Sequence, residues 1–274
     1  MSLIADNPSG VAPALAASVA HSSDSVVSNI VLTLDSVSQR HGFGKNGVVA
    51  LDGVTLTVER GEFVCLVGAS GCGKTTLLSL VAGLDQPTAG TVNTEGRTAL
   101  MFQESALLSW RTAVQNVELA LKLGGTPRRQ RRSQALEFLR MVHLSEFADK
   151  RPHELSGGMR QRVALARALA QRADILLMDE PFGALDAITR DVLHDELERV
   201  VQERGLTVLF VTHNVREASR LGDRIVLLSS RPGRVVEEFE VPVERPRRIE
   251  SPGVSAIAAA VTTRLREEVR RHAR

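Results

Sequence analysis

Phe63-Val-Cys-Leu-Val67-Gly68-Ala69-Ser70-Gly71-Cys72-Gly73-Lys74-Thr75-Thr76-Leu77-Leu78 sets the architecture of this chain. Phe63 to Val67 reads as a short buried strand, and Leu77, Leu78 and Val81 share one face of a helix that opens near Lys74. A strand, a glycine-rich turn and a helix in that order make a nucleotide-binding unit. The turn fits GxxxxGK[ST], in the context that motif requires. Its glycines let the backbone curl so that successive N–H groups face phosphates, and the helix N-terminus adds positive potential. The expected nucleotide-binding residues are therefore Gly68, Ala69, Ser70, Gly71, Cys72, Gly73, Lys74, Thr75 and Thr76. Lys74 would reach the outer phosphates and the Thr75 hydroxyl would serve Mg²⁺. Alone, the loop implies no more than a nucleoside triphosphate.

A second candidate lies in Ile175-Leu-Leu-Met-Asp179-Glu180-Pro181. Four apolar residues predict a buried strand that delivers Asp179 to its C-terminal edge, where ligands gather in parallel sheets. Asp179 is placed to hold Mg²⁺, and Glu180 to orient and deprotonate an attacking water.

Further out, Ile30 to Leu34 and Val48 to Val58 predict antiparallel strands flanking the turn-rich segment 41–47. The segment from about 104 to 160 is strand-poor and predicts an inserted helical subdomain, with Ala135, Leu139, Met141 and Val142 at near-helical spacing. Val208 to Val211 and Ile225 to Leu228 are short apolar runs. Ile188, Val192, Leu193, Leu197, Val200 and Val201 predict one helical stripe between strands. Strands alternating with helices imply an α/β fold with a mostly parallel sheet covered on both faces. Residues 1–28, Ala/Ser-rich with Pro8 and Pro13, predict a flexible tail, and 255–274 a basic helix or tail carrying Arg264, Arg266, Arg270 and Arg271.

The composition narrows the class. The 274 residues are 43% hydrophobic, as in an ordinary globular chain, and the formal net charge is only +2. No nucleic-acid partner is expected: the arginine run Arg128, Arg129, Arg131 and Arg132 follows Pro127 at a helix start, lacks interleaved aromatics and reads as a solvated face. Only Cys65 and Cys72 are present, without a second cluster for zinc, which suits a reducing compartment. No stretch reaches the roughly 18 apolar residues of a membrane helix. No Lys or Arg precedes Arg40, so an export signal is not expected.

The reading becomes specific at Leu155-Ser156-Gly157-Gly158-Met-Arg-Gln-Arg162. Ser156 and two glycines expose a second helix N-terminus suited to an anion, which one nucleotide in one subunit does not require. LSGG followed by QR, after a phosphate loop and before an Asp-Glu strand, resembles the signature of the ABC ATPase family. The resemblance spans about residues 30–233. It implies a P-loop NTPase core with an antiparallel β subdomain and a helical subdomain, in a domain from 29 to 254.

The resemblance also implies roles for single residues. Gln103 is similar to the glutamine that senses Mg²⁺ and the γ-phosphate, Asp186 to the aspartate of the D-loop, and His213 to the switch histidine. His41 stands where the family places an aromatic against adenine, with Phe43 nearby; the chain contains no tyrosine. Asn214 replaces a frequent acidic residue. Glu180, His213 and Gln103 are thus the expected catalytic residues, and Thr75, Gln103 and Asp179 the expected Mg²⁺ residues. Ser156, Gly157, Gly158, Asp186 and His41 join the nucleotide-binding set. The family mechanism implies an ATPase that stacks head to tail with a second copy. The partners it implies are two transmembrane permease subunits and, indirectly, a periplasmic or lipid-anchored solute-binding protein. The expected location is the cytoplasmic face of the membrane.

Leu107-Leu-Ser-Trp110-Arg-Thr112 with Asn116-Val117, Ala184 to Arg190, and Ser229-Ser-Arg-Pro-Gly-Arg234 are similar to nitrate, taurine and aliphatic-sulfonate importers. The sulfonate group is the expected one, ahead of taurine, nitrate and thiamine-precursor uptake. Trp110 reads either as a core aromatic or as part of a permease-docking surface. A soluble ABC protein of translation or repair is disfavoured by the single motif set and the lack of sustained heptads, and a non-hydrolysing module by the retention of Glu180 and His213.

Overall fold

A computed structural model describes residues 29–42 and 47–272. The expected flexible tail, the expected absence of an export signal, and Phe43 lie outside the described residues. In chain order the first elements are β1 (Ile30–His41), β2 (Val48–Glu59), β3 (Phe63–Val67), α1 (Lys74–Val81), β4 (Ala89–Thr94) and β5 (Thr98–Met101). The helical segment holds α2 (Ala113–Leu123) and α3 (Arg128–Met141), and α4 (Gly157–Leu169) leads back to the core. Then follow β6 (Ile175–Asp179), α5 (Ala187–Arg204), β7 (Thr207–Thr212), α6 (Val215–Leu221), β8 (Arg224–Leu228), β9 (Val235–Glu240) and α7 (Pro252–His272).

Six strands lie in the order β5-β6-β7-β3-β8-β9, parallel throughout except for the antiparallel β8–β9 edge. Their continuous apolar runs follow from burial on both faces. In β3, Phe63, Cys65 and Val67 pack on the helix-rich side, whereas Val64 and Leu66 pack toward α1 and a second sheet. That second sheet, β2-β1-β4, is antiparallel and alternates as a one-sided sheet should: Val54, Leu56 and Val58 are buried, Thr55 and Thr57 exposed. Leu77, Leu78 and Val81 of α1 complete that layer.

β4, β5 and β9 were not anticipated. β4 has Val92 as its one half-buried apolar residue, β5 is four residues long, and β9 is an edge strand carrying Glu237, Glu238 and Glu240. Such strands are held by ladder pairing more than by an apolar signal that periodicity can detect.

One expectation needs correction, one open reading is decided and one boundary is moved. Ile188 and Val192 do not join the stripe on α5: they are 80% and 43% exposed, and His194 and Glu198 take buried positions beside Leu193, Leu197, Val200 and Val201. These two polar side chains can be buried because each has a partner, Glu217 for His194 and Arg245 for Glu198. Trp110 is not a core aromatic but is 69% exposed. Its loop is held from below by buried Asn116, which accepts from Leu108 N at 2.8 Å and donates to Leu108 O and Thr112 O at 3.3 and 3.0 Å. Finally, the terminal helix does not begin after 254. It starts at Pro252, and Val254, Ala258 and Val261 are buried, the last two within the main core, while Arg264 pairs with Glu237 of β9 at 2.7 Å. Of the arginine run on α3, Arg128, Arg129 and Arg132 are exposed, Arg132 paired to Asp149 at 3.0 Å, whereas half-buried Arg131 donates to Thr126 O at 2.7 Å.

A core-packed α7 predicts that Val261→Asp, which buries an unpaired carboxylate, lowers unfolding free energy by roughly 2–4 kcal/mol. Denaturant titration checks this; unchanged stability would mean that α7 is a solvated appendage.

Candidate active site

The C-terminal ends of β3, β6 and β7 open into one cavity of about 580 Å³, lined among others by Ser70, Gly71, Gly73, Lys74, Thr75, Thr76, Gln103, Asp179, Glu180 and His213. The loop after β3 takes its shape from Gly73, at φ 98°, where a Cβ would lie 2.7 Å from both Ala50 O and Leu51 Cδ2. No side chain fits there, and no L-residue favours that φ. Lys74 is buried at 7% exposure and its ammonium donates to Gly68 O and Ala69 O at 2.9 and 3.0 Å. Gly68 and Ala69 therefore present carbonyls to Lys74. The Cys72 thiol points beneath the loop into the core, 3.6 Å from the Lys74 ammonium, and Cys72 N donates to Ala69 O.

Thr75 Oγ1 donates to Asp179 Oδ2 at 2.7 Å. Burial pushes the Asp179 carboxyl above its usual range and the neighbouring Glu180 adds to this, while the Thr75 hydrogen bond and Lys74 oppose it. Among the described residues no group of three or more His, Cys, Asp or Glu side chains could hold a metal. A hydroxyl, a carboxylate and the Gln103 amide are hard oxygen donors of the kind Mg²⁺ accepts when phosphate oxygens and water supply the remaining positions. The residues present fit that ion in this sense.

Glu180 continues β6 by one residue with its N–H donating to Val211 O at 2.9 Å, and its φ of 45° turns the chain out of the strand. Its Oε2 lies 3.2 Å from Gln103 Nε2 and 3.2 Å from His213 Nδ1. The three expected catalytic side chains thus meet at one oxygen. His41 sits at the rim, with Nε2 3.2 Å from Thr76 Oγ1.

Ser156, Gly157, Gly158 and Asp186 do not line this cavity. Ser156 caps α4, accepting from Met159 N at 3.2 Å, and Asp186 caps α5, accepting from Thr189 N at 2.9 Å. Hydrogen bonds from Thr189 hold the Asp186 carboxyl below its usual range. The two caps are neighbours, since a Cβ on Gly158 would lie 2.9 Å from Leu185 Cδ2. Within one chain these two capped helix starts therefore stand apart from the cavity.

Sequence reasoning missed three side chains. Gln161, buried on α4, donates to Gln103 O at 2.9 Å, and Arg167 on the same helix donates to Ser105 O and Ala106 O at 2.8 and 2.7 Å. Together they fasten the Gln103 loop to the helix that Ser156 caps. Arg231 lines the cavity and its Nε donates to Gly71 O at 3.2 Å. The run Ser229 to Arg234 was the signal: Gly233 N bonds Ala50 O at 2.8 Å, which seats that loop against the phosphate loop.

A family model described as ABC transporter matches residues 51–183. The chain is 48% identical over 247 residues to an aliphatic sulfonates import ATP-binding protein of Burkholderia lata, covering 88% of this chain and 74% of that protein. It is 44% identical over 231 residues to a taurine import ATP-binding protein of Rhizobium johnstonii, covering 81% and 88%. It is 47% identical over 207 residues to a nitrate import ATP-binding protein of Synechocystis, covering 72% and 78%. Among solved structures, a dimeric post-hydrolysis ATP-binding cassette bound to ADP and Pi superposes with a TM-score of 0.71 at 36% identity, covering 78% of this chain and all of that one.

Because both its φ and its contacts forbid a Cβ, Gly73→Ala is expected to weaken binding of a fluorescent ATP analogue by more than about tenfold. Equilibrium titration is the check; wild-type affinity would show that the loop adapts freely.

Proposed function

Since the chain belongs to the ABC transporter ATP-binding proteins and is the ATP-hydrolysing subunit of an import-type assembly, we propose that it drives uptake of a small oxyanion, aliphatic sulfonates first. Taurine, nitrate and thiamine precursors are the next candidates. The observation that carries the hydrolytic reading is the meeting of Gln103, His213 and Glu180 at one carboxylate oxygen. Glu180 takes a proton from water as that water attacks the γ-phosphorus, and the bond to the β-phosphate oxygen breaks to release ADP. His213 and Gln103 hold the carboxylate in line, and Lys74 with the loop N–H groups balances the phosphate charge. Thr75 and Asp179, with Gln103 near, would hold Mg²⁺, which when bound would neutralise charge developing on the phosphates. His41 covers the base, and Arg231 adds a cation at the rim.

Two copies complete the site. Ser156, Gly157 and Gly158 of one copy, with Asp186 beside them, close over the phosphate loop of the other. Support comes from the separation of these caps from the cavity within one chain and from the dimeric form of the similar cassette. The permease subunits dock on the Leu107–Thr112 loop, where exposed Trp110 stands on the Asn116 brace of α2, while α4 holds the preceding Gln103, Ser105 and Ala106 through Gln161 and Arg167. An exposed Trp on a rigid loop is the kind of residue that anchors an interface. No helix among the described residues is long and apolar enough to cross a membrane. The subunit works at the cytoplasmic face, attached through its permease partners, and a solute-binding protein delivers the cargo from the other side.

The test is growth of a deletion strain on an alkanesulfonate, taurine or sulfate as sole sulfur source, or nitrate as sole nitrogen source, complemented with wild type or Lys74→Ala. The reading predicts failure on the alkanesulfonate alone, rescued only by wild type; normal growth there would discard sulfonate as the cargo.

A further inference from the structure

Behind His213 lies a set of buried polar side chains that takes no part in the chemistry above. His194 of α5 is fully buried, and Glu217 and Arg220 of α6 are 5% and 6% exposed. His194 Nε2 lies 2.8 Å from Glu217 Oε1, and its Nδ1 lies 3.3 Å from Arg220 Nη1. A guanidinium can only donate, so Nδ1 carries the lone pair and Nε2 the proton. The ring donates through Nε2 to Glu217. Arg220 is in turn tied to Asp191 and Asp195 at 3.2 and 2.5 Å, and Phe182 packs edge-on against the imidazole at 4.9 Å between centroids.

The second oxygen of Glu217 accepts from the Thr212 hydroxyl. The same hydroxyl accepts from Asn214 N at 3.0 Å. Thr212 and Asn214 are the residues on either side of His213, so the switch histidine is bracketed by one side chain whose orientation Glu217 dictates. From this we propose that His194 is a positioning residue for ATP hydrolysis: through Glu217 and Thr212 it holds His213 against Glu180, and it ties that contact to α5. That helix is capped by Asp186, beside the Leu185–Gly158 approach, so the connection runs from the cap facing a second copy along α5 to the site of water attack. A histidine suits the task because one rigid ring offers a donor to the carboxylate and an acceptor to the guanidinium. The proposal rests on the hydrolytic reading of Glu180 and His213.

The test is steady-state ATPase of the full-length protein, with Thr212→Val, Thr212→Ser, His194→Ala and His194→Gln made in wild-type and His213→Ala backgrounds. Thr212→Val and His194→Ala are expected to lower kcat by about tenfold or more, with the KM for ATP changed less than about twofold. Thr212→Ser, which keeps the hydroxyl, is expected to stay near wild type, and His194→Gln to recover part of the loss through its amide donor. In the His213→Ala background the same changes are expected to remove no further activity, because their route of action is gone. Wild-type kcat in Thr212→Val, or an equal fractional loss with His213 already removed, would overturn the proposal. A His213→Ala protein with wild-type kcat would instead overturn the role of His213, and the proposal with it. Thermal melting of each variant separates a lowered kcat from a lost fold: Thr212→Val preserves side-chain shape, and its folded fraction must match wild type for the loss to count.

Discussion

The site depends on the register of three parallel strands. β6 pairs with β7 so that Asp179 lies opposite Val211, and β3 pairs with β7 so that Val67 lies opposite Thr212. β3 and β7 therefore end level and β6 one residue short of them, so that Glu180, turning out of its strand, reaches the edge from which Gly68 and His213 emerge. A slip of one residue in either pair would turn the whole strand's side chains to the opposite face. The near-complete burial of both faces forbids that slip, so the apolar core sets the geometry of the polar edge.

From that edge outward, each functional group is held by a separate local device. Glu180 uses a backbone bond to Val211 and a left-handed φ to leave the strand. The phosphate loop uses Gly73 where it presses on Ala50 and Leu51, and the loop carrying Arg231 is anchored to the same Ala50. Gln103 is held from α4 by Gln161, and the loop beyond it by Arg167. This last device links the cavity to the Ser156 cap, which stands outside it, since Ser156 caps α4.

Much of this was legible in the sequence, for identifiable reasons. The phosphate loop, the Asp-Glu strand and the signature are contiguous, so their residues could be named before any contact was known. The strands β3, β6 and β7 announce themselves by apolar runs that only a doubly covered sheet produces. What could not be read were features created by packing. β4 carries a single half-buried valine, and in β9 Glu237, Glu238 and Glu240 break the apolar run of Val235, Val236 and Phe239. The helical stripe of α5 was drawn through Ile188 and Val192 because both are apolar, whereas the buried face admits His194 and Glu198 once their partners arrive from distant segments. Trp110 was ambiguous for the same reason, because an aromatic in a loop faces the core or the solvent according to neighbours that spacing does not reveal. Arg231 and Gln161 lie in stretches the sequence marks, but the backbone carbonyls they bond, Gly71 O and Gln103 O, belong to remote loops that spacing does not bring together.

The central claim is that Glu180 is the base in a site that two copies close around ATP. Sedimentation of Glu180→Gln with saturating Mg-ATP tests it most directly, because the substitution keeps the shape of the side chain and removes its basicity. The account predicts a dimer that retains ATP and releases no phosphate; a variant that binds Mg-ATP yet sediments as a monomer, or one that hydrolyses at the wild-type rate, would contradict it.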